Sequence, residues 1–243
     1  MEFETCTISD RGGRTKNEDS INYFYQSGLS GCWVVADGLG GHAAGEVASA
    51  IATEAIADRF RKTPLLSVEN IRECFGYALN RILSRQEEES WLKSMRTTAV
   101  ALFTDGKSLM WAHTGDSRLY FFRGGKLLFQ TKDHSVSQAC VSAGEITPQQ
   151  IRFHEDRGRL LKVLGTDANL KVEIHEHTIL PEKGDAFLLC TDGFWEYVLE
   201  DEMEKDLIQA ESPQGWLNKM VQRLIGRVEE GNDNYSAAAV FVR

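Results

Sequence analysis

The sequence contains few prolines and cysteines and lacks any long apolar segment. Only 4 prolines occur in 243 residues, and no stretch rich in proline, glycine and serine marks a linker. We therefore predict a single domain spanning residues 1–243. The 5 cysteines are an odd number, widely spaced and without a CxxC pair, which argues against a disulfide framework or a zinc site.

Blocks of basic residues and membrane-spanning segments are also missing. The net charge is -9, so nucleic acid and anionic membranes are not expected partners. No apolar run reaches the ~18 residues that cross a bilayer. The first residues, MEFETCTISD, contain neither the basic nor the apolar region of a secretory signal. We expect a soluble protein of the cytoplasm, present as a monomer.

Instead of long apolar segments, the sequence has short apolar stretches separated by turns. They predict strands at Glu2–Ile8, Ser20–Tyr25, Cys32–Ala36, Thr97–Thr104, Ser108–Thr114, Arg118–Arg123, Lys126–Gln130, Lys171–Thr178, Ala186–Thr191 and Ala237–Val242. Longer stretches predict helices at Gly45–Lys62, Val68 to about Trp91, Ser135–Ala143 and Pro213–Val228. Because strands follow one another through tight turns while helices come in blocks, an α+β fold with antiparallel sheets is favoured over a βαβ alternation.

One glycine-rich loop has two interpretations. In VVADGLGGHAAGEVAS an apolar strand ends at Asp37, and the loop GLGGHA follows. The loop matches the GxGxxG/A fingerprint of dinucleotide-binding proteins, with Asp58 roughly where a ribose-binding acid would lie, so a nucleotide-binding oxidoreductase is one alternative. Against it, Asp37 directly precedes the first glycine and would repel a pyrophosphate. A carboxylate at this place is better explained by a bound cation.

Other carboxylates lie at similar places along the chain. They are Asp192 in LLCTDGFWEYV, Asp116 in WAHTGDSRLY, Asp233 in GNDNYSAAAVFV, and Glu18 with Asp19 in DRGGRTKNEDS. Carboxylates at strand ends provide the oxygen ligands that Mg²⁺ and Mn²⁺ prefer. One Asp-Gly pair alone indicates an ordinary turn, whereas the repetition favours a metal site. Spacing does not establish that these residues converge.

Five segments, taken in order, resemble the motifs of the metal-dependent protein phosphatases of type 2C in their bacterial single-domain form. They are RGGRTKNED, VVADGLGGHAAGEVAS, GDSRLY, LLCTDGFWEYV and DNYSAAAVFV, and the resemblance runs from about Asp10 to Val242. It implies a four-layer α-β-β-α sandwich, in which helices flank two central antiparallel sheets and metal ions lie in a cleft at one end. It also implies hydrolysis of phosphoserine and phosphothreonine in proteins, opposing a cognate serine/threonine kinase in bacterial signal transduction.

The resemblance further implies a set of metal ligands. Asp37 corresponds to the carboxylate that bridges two Mn²⁺ or Mg²⁺ ions, and the Gly38 carbonyl to a ligand of the first ion. Asp192 and Asp233 correspond to ligands of the second ion. Such a pair of ions can activate one water molecule for attack on a phosphate.

Five other positions surround these ligands in the resemblance. Glu18 and Asp19 match acidic positions near the second ion, and Asp116 resembles one member of the pair, with Asp192, that holds a third ion in bacterial members. Arg14 resembles the arginine that grips the substrate phosphate through its planar guanidinium. His42 is a candidate proton donor to the leaving alkoxide, and bracing of the loop is the alternative role for it. The intact acids disfavour a catalytically inactive phosphoprotein-binding module.

Two other features complete these expectations. Arg96 stands before Thr97-Thr98 where relatives carry glycine, so the sequence does not predict the conformation of the local turn. We expect Trp91, Trp111, Trp195 and Trp216 to lie in cores or between packed helices, because large aromatic side chains bury much apolar surface.

Overall fold

The computed structural model describes residues 1–40 and 44–243. Within these ranges the strands are β1 (Phe3–Asp10), β2 (Asp19–Gln26), β3 (Ser30–Leu39), β4 (Arg96–Thr97), β5 (Ala99–Thr104), β6 (Leu109–Thr114), β7 (Arg118–Arg123), β8 (Lys126–Gln130), β9 (Glu173–Ile174), β10 (Ala186–Cys190) and β11 (Tyr235–Val242). The α-helices are α1 (Ala44–Lys62), α2 (Val68–Glu88), α3 (Val136–Ala143), α4 (Asp192–Trp195), α5 (Glu200–Ile208) and α6 (Pro213–Ile225). Short 3₁₀ helices occupy Ser90–Leu92 and Pro148–Phe153.

The strands form two antiparallel sheets. One has the order β1-β11-β10-β7-β8, and the other has the order β2-β3-β5-β6-β9, with β4 paired to the end of β3. Helices α1 and α2 pack on the outer face of the second sheet, and α5 and α6 pack on the outer face of the first. The predicted α+β fold, a four-layer α-β-β-α sandwich, is confirmed.

Alternation along the strands divides the buried side chains among three apolar layers. In β3, Trp33 and Val35 point into the layer between the two sheets, while Cys32 and Val34 point toward α1 and α2. In β10, Phe187 and Leu189 fill the layer between the sheets, and their neighbours face α6. Because side chains alternate along a strand with a period of two, both sheets are apolar on both faces, as the continuous apolar runs require.

The four predicted helices are present, with ends that differ by a few residues. Strand β9 is shorter than the predicted Lys171–Thr178, and α5 was not predicted. Trp91 is 51% exposed, so its predicted core position is wrong, whereas Trp111, Trp195 and Trp216 are buried. No helix in the described ranges is long and apolar enough to cross a membrane.

The topology brings five strand ends to one edge of the sandwich. In an antiparallel pair the end of one strand lies beside the start of its partner. Strands β3, β6 and β10 therefore end where β2 and β11 begin, and the register pairs Asp19 with Asp37 directly. The carboxylates that the sequence places at strand ends consequently lie at this edge.

Candidate metal centre

A cleft of about 830 Å³ opens at this edge of the sandwich. Six of the predicted site residues line it: Arg14, Glu18, Asp37, Gly38, Asp192 and Asp233. Asp19 and Asp116 do not line the cleft, but their charges act on Asp37. The structure thus brings together every predicted site residue that falls within the described ranges.

Asp37 lies at the centre of this acidic group, at the end of β3. Burial, and then the nearby charges of Asp192 and Asp19, raises the pKa of Asp37 well above its usual value. Burial likewise raises the pKa of Asp19 to about 7, with Asp233 and Glu18 adding to the effect. The pKa of Glu18 is also raised, mainly by burial. Without a cation, the carboxylates repel one another and favour protonation.

Asp192 and Asp116 extend the acidic group toward the other sheet. Burial raises the pKa of Asp192 to about 7, and the charges of Glu196 and Asp233 act in the same direction. Asp116 is buried, and burial followed by the charge of Asp192 raises its pKa well above the usual value. Among the described residues, Oδ1 of Asp116 and Oδ1 of Asp19 have no hydrogen-bond partner.

Gly38 allows the chain to cross very close to α1. A Cβ built on Gly38 would lie 2.1 Å from the Gly45 carbonyl oxygen and 2.5 Å from the Glu18 carbonyl oxygen. The Gly38 N–H donates to the Glu18 carbonyl at 3.1 Å. No side chain fits here, so glycine is required for close packing rather than for an unusual φ. The crossing fixes the backbone directly after Asp37.

Two threonines hold the backbone of Asp37, and sequence reasoning missed both. The Asp37 N–H donates to Thr98 Oγ1 at 2.9 Å, and the Thr98 N–H donates to the Asp37 carbonyl at 2.9 Å. The Thr97 hydroxyl donates to the same carbonyl at 2.8 Å. Arg96, the departure from the family pattern, pairs with Leu39 in the short β3–β4 ladder and is exposed. The turn therefore accommodates a charged side chain by directing it to solvent.

Asn234 and Thr191 are two further residues that the sequence did not identify. Asn234 Oδ1 accepts from the Glu18 N–H at 2.8 Å, and its amide donates to the Arg11 and Lys16 carbonyls at 2.8 Å. The Thr191 hydroxyl donates to Asp19 Oδ2 at 2.9 Å. Each residue is adjacent in sequence to a predicted ligand, and this adjacency is the one sequence signal that could have identified it. They attach the N-terminal acidic segment to the ends of β10 and β11.

Arg14 is the basic residue that contacts the acidic group. Its Nη2 lies 2.9 Å from Asp233 Oδ2, and both side chains are about half exposed, at 56% and 48%. An exposed pair of this kind contributes little to stability, because water already solvates both charges. Arg14 is thus free to exchange Asp233 for another anion in the cleft. His42 lies outside the described residues, so its two predicted roles stay predictions.

A compact histidine group lies on the other side of Asp116. The potential ligand atoms of His113, His134 and Glu173 lie within 4.8 Å of one another. The two imidazole rings are stacked, with centroids 4.6 Å apart and planes within 11°, so their in-plane lone pairs do not meet at a common point. His134 Nδ1 instead accepts from the Gly115 N–H at 3.3 Å, and the Gly115 carbonyl accepts from the His134 N–H at 2.9 Å. This group braces the turn that precedes Asp116.

The acidic group itself is suited to hard divalent cations. Its donors are carboxylate and carbonyl oxygens, and two buried carboxylate oxygens have no protein partner in the described ranges. Burying several carboxylates without basic partners is unfavourable unless cations neutralise them. The residues therefore fit a site for more than one divalent cation.

Comparisons with known proteins agree with this geometry. A family model for protein phosphatase 2C matches residues 9–231. The chain is 35% identical over 212 residues to serine/threonine phosphatase stp of Listeria monocytogenes, covering 85% of this chain and 82% of that protein. The structure of serine/threonine phosphatase Stp1 from Staphylococcus aureus is similar, with a TM-score of 0.89, 29% identity and coverage of 100% and 96% of the two chains.

A second solved structure, the catalytic domain of serine/threonine protein phosphatase PstP in complex with two manganese ions, gives a TM-score of 0.83. Identity to it is 28%, with 98% of this chain and 97% of that chain covered. The fold and the acidic cleft define a metal-dependent hydrolase of the phosphatase class. The chain belongs to the protein phosphatase 2C family. The dinucleotide-binding and inactive-module alternatives are not favoured, since β3 lies in an antiparallel sheet and the acids converge.

Proposed function

We propose that this protein hydrolyses phosphoserine and phosphothreonine in proteins, using Mn²⁺ or Mg²⁺. The observation that carries the proposal is the group of carboxylates around Asp37, which lie at or beside one cleft and whose one ion pair within the described residues is that of Asp233 with Arg14. Membership of the protein phosphatase 2C family and the names of the relatives support it.

Asp37, Asp192 and Asp233 would hold two cations together with the Gly38 carbonyl. When bound, the cations supply an activated water molecule and neutralise charge on the phosphate oxygens. The chain orients these ligands through its backbone: Asp192 Oδ1 accepts from the Gly193 N–H at 2.6 Å, and Asp233 Oδ1 accepts from the Asn234 N–H at 2.8 Å. Asp116, with its unpartnered oxygen, would contribute to a third site with Asp192. Glu18 and Asp19 would add negative charge beside the second cation.

Arg14 binds and orients the substrate phosphate in this proposal. Its guanidinium is exposed at the cleft and pairs with Asp233 in the structure. Once Asp233 binds a cation, the guanidinium can donate two parallel hydrogen bonds to phosphate oxygens. That geometry aligns the phosphorus atom with the acidic group.

His42 is proposed to protonate the leaving alkoxide. A seryl or threonyl alkoxide needs such help, whereas an aryl phosphate has a good leaving group. His42→Ala should therefore lose about 10²–10⁴-fold in rate on phosphoserine peptides and little on p-nitrophenyl phosphate. Equal losses on the two substrates, together with weaker Mn²⁺ binding, would leave only the bracing role.

The central experiment compares hydrolysis of phosphoserine and phosphothreonine peptides by the protein with Mn²⁺, with Mg²⁺ and with a chelator. We expect turnover with the ions and none after chelation. Equilibrium dialysis should count at least two bound Mn²⁺ ions, and Asp116→Asn should lower the count if a third site exists. A protein that binds Mn²⁺ yet hydrolyses no phosphopeptide would contradict the proposed function.

The proposal also covers the setting of the reaction. A phosphatase of this class would oppose a cognate serine/threonine kinase in bacterial signalling, in the cytoplasm. We propose that residues 1–243 act as one catalytic domain and as a monomer. Co-purification with a kinase, cell fractionation and light scattering test these points.

A further inference from the structure

A phenylalanine outside the cleft is held in an exposed position. Phe153 is 84% exposed at the end of the 3₁₀ helix Pro148–Phe153, while the two preceding residues, Ile151 and Arg152, are buried. Arg152 anchors this helix: it donates to the Trp195 carbonyl at 3.1 Å, to the Val198 carbonyl at 3.3 Å and to Glu200 at 2.7 Å. The exposure of Phe153 therefore belongs to a well-anchored segment.

Phe153 forms a small pocket with Tyr197 and Leu199. This Phe153 pocket has a volume of about 410 Å³, and Arg157, Glu196 and Arg227 contribute its polar part. Leu199 is also exposed. The pocket thus leaves apolar surface uncovered, and an apolar side chain of a ligand would remove that surface from water favourably.

The charged groups of the pocket are paired within the protein. Arg157 Nε lies 2.7 Å from Glu196 Oε1. Arg227 donates to Glu202 Oε2 at 2.7 Å and to the Tyr197 carbonyl at 2.7 Å. Since these charges already have partners, what the pocket offers to a ligand is its apolar wall. The fitting occupant is an apolar side chain rather than an acidic or basic one.

The Phe153 pocket is continuous with the candidate metal centre. Arg157, Glu196 and Tyr197 also line a neighbouring depression of about 400 Å³, which reaches Arg14 and Asp192. Asp192 and Tyr197 are separated by little more than one helical turn, because the Glu196 N–H donates to the Asp192 carbonyl at 2.9 Å. A helix rises about 1.5 Å per residue and an extended peptide about 3.3 Å, so about two peptide residues span this separation. About one or two more reach Phe153 and Leu199, which line the pocket but not the neighbouring depression.

We propose that the Phe153 pocket binds an apolar side chain of the phosphoprotein substrate, about two to four residues from the phosphorylated one. The inference rests on the proposed function and adds a specificity determinant to it. Phe153 and Leu199 act on the peptide alone, at a distance from the phosphate. They therefore affect selection among phosphopeptides and not the chemical step.

The test uses phosphoserine peptides in which a single leucine is moved through the four positions on each side of the phosphoserine, in an otherwise serine- and glycine-containing sequence. For the natural protein we expect kcat/KM to be about tenfold higher with leucine at a position about two to four residues from the phosphoserine than with leucine next to it, in the range that apolar pockets provide. Phe153→Ser and Leu199→Ser should each reduce this preference to about twofold or less. Leu180→Ser, which changes a leucine outside the pocket that is also exposed, at 70%, should keep it.

The small substrate p-nitrophenyl phosphate separates this inference from the proposed function. All four proteins should hydrolyse it equally with Mn²⁺, since it has no side chain to reach the pocket. Equal hydrolysis without any leucine preference, or a preference unchanged in both pocket variants, would overturn the Phe153 pocket alone. Absence of Mn²⁺-dependent hydrolysis of every substrate by the natural protein would overturn the proposed function, and this inference with it.

Discussion

Two groups of charged side chains lie on either side of Trp195, and they are built in opposite ways. In one, Arg118 and Asp133 are 2% and 1% exposed and form two hydrogen bonds of 2.8 Å. In the other, the carboxylates around Asp37 face one another, the pKa of Asp37 is raised well above its usual value, and two carboxylate oxygens have no partner within the described ranges. The first group is complete within the protein, since each charge has an oppositely charged partner. The second is incomplete, since its negative charges are balanced only when cations bind. The comparison shows which buried charges serve stability and which serve binding.

The largest expected effect comes from removing a charge at the incomplete group. Asp37→Asn should lower turnover by at least about 10³-fold, the upper range for losing one electrostatic contact in an active site. It should also weaken Mn²⁺ binding in calorimetry. The same change should raise the melting temperature of the chelator-treated protein, because one of several mutually repelling groups is gone. Asp58→Asn, at a surface position, is the control.

Two results would contradict this comparison of the two groups. Asp37→Asn could keep full activity, or it could destabilise the metal-free protein. The first result would remove Asp37 from the set of ligands. The second would mean that the carboxylate makes a favourable contact of its own. Asp192→Asn and Asp233→Asn should behave as Asp37→Asn does.

Disrupting the Arg118–Asp133 ion pair should destabilise the protein, whereas removing a carboxylate from the acidic group should stabilise the metal-free protein. Arg118→Met leaves Asp133 buried without its partner and should lower the free energy of unfolding by about 3–5 kcal/mol in urea titrations. The double variant Arg118→Met/Asp133→Leu should recover much of the loss, since no charge stays buried alone. A loss below about 1 kcal/mol for the single variant would show that solvent reaches this pair.

Arg14 extends the comparison to the surface, because it forms an arginine–aspartate ion pair with Asp233 in which both side chains are about half exposed. Arg14→Ala should change stability by less than about 0.5 kcal/mol. It should nevertheless raise KM for a phosphopeptide by about 10–100-fold, the effect expected from losing charged hydrogen bonds to the phosphate. Arg14→Lys should restore part of the loss. An unchanged kcat/KM in steady-state assays would assign phosphate binding to another group.

The smallest expected effect is a dependence of metal stabilisation on pH. The pKa values of Asp19 and Asp192 are raised to about 7 in the folded, metal-free protein, so it binds more protons than the unfolded chain. The stability that these groups contribute is therefore complete below about pH 4 and is lost as the pH rises to about 7. Mn²⁺ competes with these protons.

Mn²⁺ should consequently raise the melting temperature by a few degrees more at pH 7.5 than at pH 5.5. Thermal scans with Mn²⁺ and with a chelator at both pH values measure this difference. Asp192→Asn should reduce it. An equal increase at the two pH values would mean that the carboxylates are already ionised at pH 5.5 in the metal-free protein.

The sequence predicted the carboxylates of the cleft better than the residues that hold them in place. Asp37 and Asp192 follow apolar strands directly and stand beside glycines, so a local pattern identified them. Thr98 and Thr191 look like ordinary strand residues, because threonine is common in strands for its β-branched shape. Their hydrogen bonds to the Asp37 backbone and to Asp19 depend on tertiary contacts that no spacing along the chain reveals.

Helix α5 shows the same limit at the level of the fold. Its sequence, EDEMEKDLI, contains only three apolar residues, of which Met203 and Leu207 pack on the first sheet. Glu202 and Asp206 are nevertheless buried in it, because Arg223 and Arg227 near the end of α6 pair with them. Ion pairs between helices thus add to an apolar stripe of only two residues, which is too short to identify a helix from its sequence.

The position of Trp195 gives the protein a built-in optical reporter. Its ring lies under the Arg118 guanidinium, with the guanidinium carbon 3.5 Å from the ring centroid, and its Nε1–H donates to the Asp116 carbonyl at 2.9 Å. An indole is sensitive to the electric field along its axis, and here a fixed cation on one side faces an acidic group of variable charge on the other. Filling the acidic group with Mg²⁺ changes that field. Because the chain has 5 tryptophans, the ultraviolet emission of Trp195 is obtained as the difference from a Trp195→Phe variant, and it can follow the occupancy of the cleft without any label.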